Sequence, residues 1–227
     1  AFVNILKKTE NTNNGGEVRD LTFAGNVLSD GLVANTNYGT IENVKVDVYI
    51  GTDVNPSKVT SDGEFAGGLV AQNYGIINNV EVLGVSIENN NSQSYVGGVA
   101  GYNQGEISNA KVEFYTFKGN VVNTFVGNFV GGLVGYADGG SIQLSYAYDY
   151  SLSTNKASKH LVGNAGAFVG AVNASTTISQ SFAVVNEVNP LSGKVSDNNL
   201  ILTDTYISYY QAKDGDFEYR SDRRESN

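Results

Sequence analysis

The sequence has no cysteine, no methionine, one histidine and two prolines. Without cysteine there are no disulfides, thiolate metal sites or cysteine nucleophiles. The compartment stays open on that count. One histidine cannot build a His-Glu-x-x-His zinc site. A serine triad would have to use that same residue, and no Gly-x-Ser-x-Gly elbow is present. The histidine, His160, lies in Ser158-Lys159-His160-Leu161 and is expected to be an ordinary surface-loop residue. The scarcity of proline leaves hydrogen-bonded ladders uninterrupted. No apolar run is long enough to span a membrane as a helix, and the residues from Ala1 are not expected to be a secretory leader. The chain opens without methionine on Ala1-Phe2-Val3, which reads as a processed product or an excised fragment. Positive charge is also scarce: 14 Lys and Arg stand against 23 Asp and Glu, a net charge of −9. Such a chain repels phosphate backbones, so nucleic acid is not an expected partner. Residues 213–225 hold four basic and five acidic side chains, a balance of −1. The other −8 is spread over residues 1–212 and reads as a solvated acidic surface.

What is abundant is glycine, 27 residues, with 41% hydrophobic residues to build a core. The glycines belong to a recurring phrase. It runs Gly67-Gly68-Leu69-Val70-Ala71-Gln72-Asn73-Tyr74-Gly75-Ile76-Ile77-Asn78-Asn79-Val80-Glu81-Val82 and returns as Gly97-Gly98-Val99-Ala100-Gly101-Tyr102 through Val112. A third strong copy begins at Gly131-Gly132-Leu133-Val134-Gly135-Tyr136, an earlier one spans 31–46, and a worn one spans 166–183. The period is about thirty to thirty-seven residues, which indicates a solenoid or array. Val44, Val46, Val48 and Ile50 alternate with Lys45, Asp47 and Tyr49, the period of a strand buried on one face. No copy shows a sustained helical period. Gly-Leu-Val-Ala and Gly-Leu-Val-Gly read as a second short strand. Further strands are expected at 65–67, 95–97, 125–131 and 161–166. Between the first two strands, Asn37-Tyr38-Gly39, Asn73-Tyr74-Gly75 and Asn103-Gln104-Gly105 read as turns using left-handed φ.

Three strands per repeat predict an all-β fold, a parallel β-helix of about five to six coils with an irregular C-terminal cap. Ile41, Ile77, Ile107, Ile142 and Ile178 hold one place in every copy and predict an inward column. The next inward residue comes three positions later, so the strand must bend near Asn43, Asn79 and Asn109. Those amides would form a buried or half-buried ladder that Leu144 interrupts, the alternative being solvent-exposed turn asparagines. Inserts at 51–63 and 147–159 are expected to project as loops. The expected division is a repeat domain over 1–189, capping strands over 190–212 and a charged tail or linker over 213–227.

The phrase Gly-Gly-Leu-Val-Gly-Tyr-x-x-Gly-x-Ile-x-Asn resembles the GLUG motif, most closely at 131–136, 97–107 and 67–77. The resemblance covers roughly residues 17–185. It implies a bacterial cell-surface or secreted β-helical stalk, as in large adhesin-like proteins and the non-catalytic portions of immunoglobulin A metalloproteases. It carries no catalytic residue to transfer. The leading expectation is a non-enzymatic adhesin or stalk module that presents loops to a protein or glycan ligand on another cell or matrix. End-to-end or edge self-association is possible in such a rod. The rivals are a substrate-positioning flank of a secreted metalloprotease and a polysaccharide-binding or polysaccharide-cleaving β-helix.

No cofactor and no metal centre is expected. Tyr146, Tyr148 and Tyr150 alternate and would share one face, making them candidates for binding; Tyr206, Tyr209, Tyr210 and Tyr219 form a second group. Asp214, Asp216 and Glu218 would line one face of a strand as calcium-type oxygens, against a bland reading as a solvated acidic turn. Paired carboxylates for sugar cleavage do not recur at one repeat position.

Overall fold

The computed structural model describes residues 1–7, 16–47, 49–50, 54–117, 120–121, 123–149, 160–186, 192–194, 199–213 and 216–224. These residues form an all-β solenoid whose strands stack in parallel on three sheets. One coil illustrates the path. Val70–Asn73 lies in sheet I, Ile76–Leu83 in sheet II, and Ser86–Asn89 followed by Tyr95–Gly97 in sheet III. One repeat later the chain returns to the same places. Val70 pairs with Ala100, Ile77 with Ile107, Ile87 with Phe125 and Tyr95 with Phe129 along the third sheet through Phe125–Gly131. The strands expected at 65–67, 95–97, 125–131 and 161–166 all form.

The coil number is lower than expected. Four coils, spanning about 34–166, contribute to all three sheets between an exposed first coil and an incomplete last one. The first coil, Val3–Leu6, Glu17–Phe23 and Asn26–Leu28, is largely exposed. Beyond Leu161–Gly166 no described strand continues sheet III. The C-terminal strand Asp216–Arg224 turns back antiparallel on Thr205–Lys213.

The isoleucine column is inward and fully buried at all five positions, in register from Ile41 to Ile178. Each such side chain contributes about 2 kcal/mol by leaving water. The three-residue spacing to the next inward position has a backbone cause. Asp20, Asn43, Asn79, Asn109, Leu144, Gln180 and Asp204 all adopt left-handed φ of 47–55°. One such residue reverses the pleat, so the residue after it points inward again. Asn and Asp tolerate this region, whereas Leu pays a steric cost there. Stacking therefore imposes the bend even where the sequence lacks Asn.

The amide ladder is real and has two forms. Asn79 donates to Asn43 and Asn43 to Asp20 along exposed bends, at 2.7 and 3.0 Å. Asn109 leaves this row and donates to Asn78 instead. A second, fully buried ladder stands at the corner between sheets I and II. Asn37 donates to Asn73 and Asn73 to Asn103, both at 2.8 Å. These are the residues expected to supply left-handed turns. They end strands in ordinary φ, and Asn37 Oδ1 accepts the Gly39 N–H that would otherwise be buried without a partner. At this corner a Cβ on Gly75 would lie 2.2 Å from the Gly39 carbonyl oxygen, so only glycine lets successive coils close up.

Candidate binding surface

The corner between sheets II and III is built differently. In the third coil the chain crosses it directly from Leu83 to Ser86, with Gly84 at φ 63°. In the second coil it detours through an antiparallel hairpin, Tyr49–Ile50 with Val54–Asn55. In the fourth it makes another, Thr116–Phe117 with Asn120–Val121, which the sequence did not announce. The fifth coil crosses through 150–159, outside the described residues. The departures from the stack are also shorter than expected. Lys58–Ser61 is a strand of sheet III with Val59 and Ser61 turned in, and Tyr146–Asp149 is a strand of sheet II with Ala147 turned in. The alternation in Lys58-Val59-Thr60-Ser61 was the available signal.

Buried polar side chains pin the roots of these detours. Ser57 donates to the Asp47 carbonyl at 2.7 Å and accepts from the Gly25 N–H at 3.0 Å. Asn123 accepts from the Tyr115 N–H at 2.9 Å and donates to the Val85 carbonyl at 3.1 Å. His160 is the clearest departure from the sequence reading, for it is buried rather than a surface-loop residue. Its Nδ1 lies 2.7 Å from the Asn123 carbonyl oxygen, its Nε2 lies 3.4 Å from Asp149 Oδ1, and its ring packs 5.3 Å from Phe114. The residue opens the third-sheet strand Leu161–Gly166, and strand entry carries its side chain under the corner. His160, Asp149 and Asn123 form a structural plug closed to substrate.

Tyr146 and Tyr148 do share the outward face of sheet II; Tyr150 lies outside the described residues. Tyr146 continues a column that runs Lys45, Glu81, Lys111, Tyr146, Phe182, Tyr206 across neighbouring strands. The column changes character midway. Lys111 pairs with Glu81 at 2.9 Å, and Lys45 pairs with Asp47 at 2.7 Å. The Asp47 contact is the main reason that the Lys45 ammonium is held above its ordinary range, while burial opposes it. From Tyr146 onward the face is aromatic. The Tyr146 ring stacks on Phe182 at 4.8 Å and its hydroxyl donates to Glu113 at 2.8 Å; Tyr148 meets Phe182 edge-on at 6.5 Å. Phe182 and Tyr206 stay 39% and 48% exposed, so the patch presents apolar area to solvent.

A larger aromatic cluster went unnoticed in the sequence. Phe65, Tyr95 and Phe129 stack in register on sheet III, at 5.6 and 5.2 Å. Tyr102 and Tyr136 on sheet I pack against them, and Tyr74 and Tyr38 extend the row to the corner between sheets I and II. The signal was positional: Phe65, Tyr95 and Phe129 sit two residues before the glycine pair, Tyr102 and Tyr136 four residues after it, and Tyr74 six residues after it. Burial raises the hydroxyl pKa of Tyr74, Tyr95, Tyr102 and Tyr136, and a hydrogen bond to Asp138 raises that of Tyr102 further. Stacking consumes the ring faces, leaving mainly edges for a ligand. A shallow groove of about 520 Å³ follows the adjacent corner past Tyr38, Tyr74, Gln104, Glu106 and Ser141.

Among the described residues no three acidic or histidine side chains are grouped to hold a metal, and no helix is long and apolar enough to cross a membrane. Asp214 lies outside the described residues; Asp216 and Glu218 belong to the strand Asp216–Arg224, whose side chains also lie outside them.

Comparison with protein families finds the GLUG motif at residues 92–117. The matched segment holds Tyr95–Gly97, Ala100–Asn103 and Glu106–Phe114, one strand from each sheet in succession. No curated protein and no solved structure matches the chain.

Proposed function

We propose, from a GLUG motif set in a β-solenoid, that the chain is a non-enzymatic module of a bacterial cell surface or a secreted protein. In this reading the stacked coils are a stiff carrier, and the ligand is a protein or glycan on another cell or on matrix. The observation that carries it is the segregation of the detours. The two described hairpins leave the rod at one corner, over roots held by buried polar side chains. A rigid base beneath variable loops separates the requirements of folding from those of recognition. Tyr146, Tyr148 and Phe182 on the outward face of sheet II extend the binding face with rings, which are frequent anchors in interfaces.

Binding of the labelled chain to bacterial cells, host cells, protein arrays and glycan arrays tests this reading. Shortening all three crossings to the length found in the third coil is expected to abolish binding and leave the β spectrum intact. Binding retained by that variant would overturn the assignment to the loops. Release of reducing sugar from a polysaccharide would overturn the non-enzymatic reading.

A further inference from the structure

The corner between sheets I and II carries the groove of about 520 Å³ on its outer side. Gly39, Gly75, Gly105 and Gly140 stack along it, so its floor is bare backbone. Tyr38, Tyr74 and Gln104, each just before a floor glycine, form one wall and are exposed. Thr40, Ile76, Glu106 and Ser141, each just after one, form the other wall in parallel register. The groove therefore runs along the rod axis past four coils. The spacing of paired strands sets its length at about 14 Å. The four strands of sheet II that supply it are each paired on both sides, so it is not an end of the stack.

We propose that this groove binds a neutral, linear β-1,4-linked glycan lying along the rod axis, about three rings long. The backbone of the floor excludes an added peptide strand. The Ile76, Glu106 and Ser141 N–H groups donate to the Gly39, Gly75 and Gly105 carbonyls at 2.9, 2.9 and 3.1 Å, and the Gly39 and Gly75 N–H groups donate to Asn37 and Asn73. No ladder is left there for β-augmentation. An extended peptide also repeats about every 3.4 Å, out of step with coils about 4.8 Å apart. Charge excludes an anionic polymer, because Glu106 lines the wall, Glu17 lies at its end and the chain carries −9. What remains is read by side chains. Tyr38 and Tyr74 stack on each other at 4.9 Å, so they offer the groove ring edges and hydroxyls. Gln104, Glu106, Thr40 and Ser141 add an amide, a carboxylate and two hydroxyls, one step apart along the axis, and Ile76 adds an apolar contact. A β-1,4-linked pyranose chain is straight, advances by nearly one coil per ring and points hydroxyls to both sides. The site lies at a different corner from the hairpins and does not rest on what they bind.

Calorimetric titration with β-1,4-linked hexaoses of glucose, xylose, mannose and N-acetylglucosamine tests it. At least one is expected to bind with a Kd below about 1 mM. The α-1,4-linked glucose hexaose, which coils, is expected not to bind. Gln104→Ala and Glu106→Ala, both at exposed positions, are each expected to weaken binding by about tenfold. Glu88→Ala, on sheet III, is expected to leave it unchanged. A β spectrum equal to that of the parent establishes that each variant is folded. The chain with shortened crossings is expected to keep this affinity, which separates failure of the groove from failure of the loop reading. The proposal would be overturned by no binding of any of the four sugars, or by unchanged affinity in both groove variants. Loss of binding on shortening the crossings, or capture of extended peptides in place of the sugars at Gln104 and Glu106, would also overturn it.

Discussion

Two corners of the same coil obey opposite rules. Between sheets I and II, Asn37, Asn73 and Asn103 stack as a buried amide ladder and Gly39, Gly75 and Gly105 stack beside them with no room for a Cβ. Between sheets II and III the crossing is direct in one coil and a hairpin in the coils on either side. A corner that must transmit register to the next coil tolerates one chain length and almost one composition. A corner whose backbone leaves the stack is limited only at its root, where Ser57, Asn123 and His160 satisfy the buried polar groups.

The largest effect on that contrast should come from Gly75→Ala. The new methyl would meet the Gly39 carbonyl, and the coils would have to separate. A loss of about 3 kcal/mol or more is expected in urea unfolding; a loss below about 1 kcal/mol would show that the corner can relax. His160→Ala tests the root of the variable corner. It leaves the Asn123 carbonyl and Asp149 beside a cavity against Phe114, with an expected loss of about 3 kcal/mol. Equal stability of this variant and the parent would mean that the root bears no load and the corner is variable throughout.

Much of this frame was legible in the sequence, and the misses share one cause. The isoleucine column, the third-sheet strands and the bend near Asn43 follow from side-chain period and repeat position, which a single sequence displays. The choice between the two asparagine rows was not legible. Asn73 and Asn79 are chemically identical, and only the stacked backbone puts one inside and the other on the surface. His160 was misread for the same reason: its burial depends on Phe114 and Asp149, more than ten residues away in the chain. The hairpin at 116–121 was hidden because Thr116, Phe117 and Val121 look like a continuation of the strand before them. Of the candidate tyrosines, Tyr146 and Tyr148 were rightly placed on one face. The longer row through Tyr102 and Tyr136 needed the repeats to be read against each other rather than along the chain.

Two smaller effects sharpen the comparison. Asn73→Ala removes the middle of the buried ladder and strips a partner from Asn37 Nδ2. The expected loss is about 2 kcal/mol, and Asn79→Ala on the exposed row should cost clearly less in the same urea titration. Leu144→Asn should act in the opposite direction. Leu144 holds φ 50° and is 49% exposed, so Asn relieves backbone strain at little cost in burial. A gain of up to about 1 kcal/mol is expected in thermal unfolding. A loss there would mean that the leucine packs usefully on the surface.

The central claim is that one corner is frame and the other is carrier. Urea unfolding of two length variants tests it most directly. In the first, residues 48–56 are replaced by one glycine, which keeps the root residues Asp47 and Ser57 and gives the crossing the length of Leu83-Gly84-Val85 in the next coil. In the second, eight residues are inserted between Tyr74 and Gly75. The first should unfold cooperatively within about 1 kcal/mol of the parent, because loop length weighs little once the ends are fixed. The second should lose most of its stability or its cooperativity. Equal losses in both variants, or a greater loss in the first, would contradict the account.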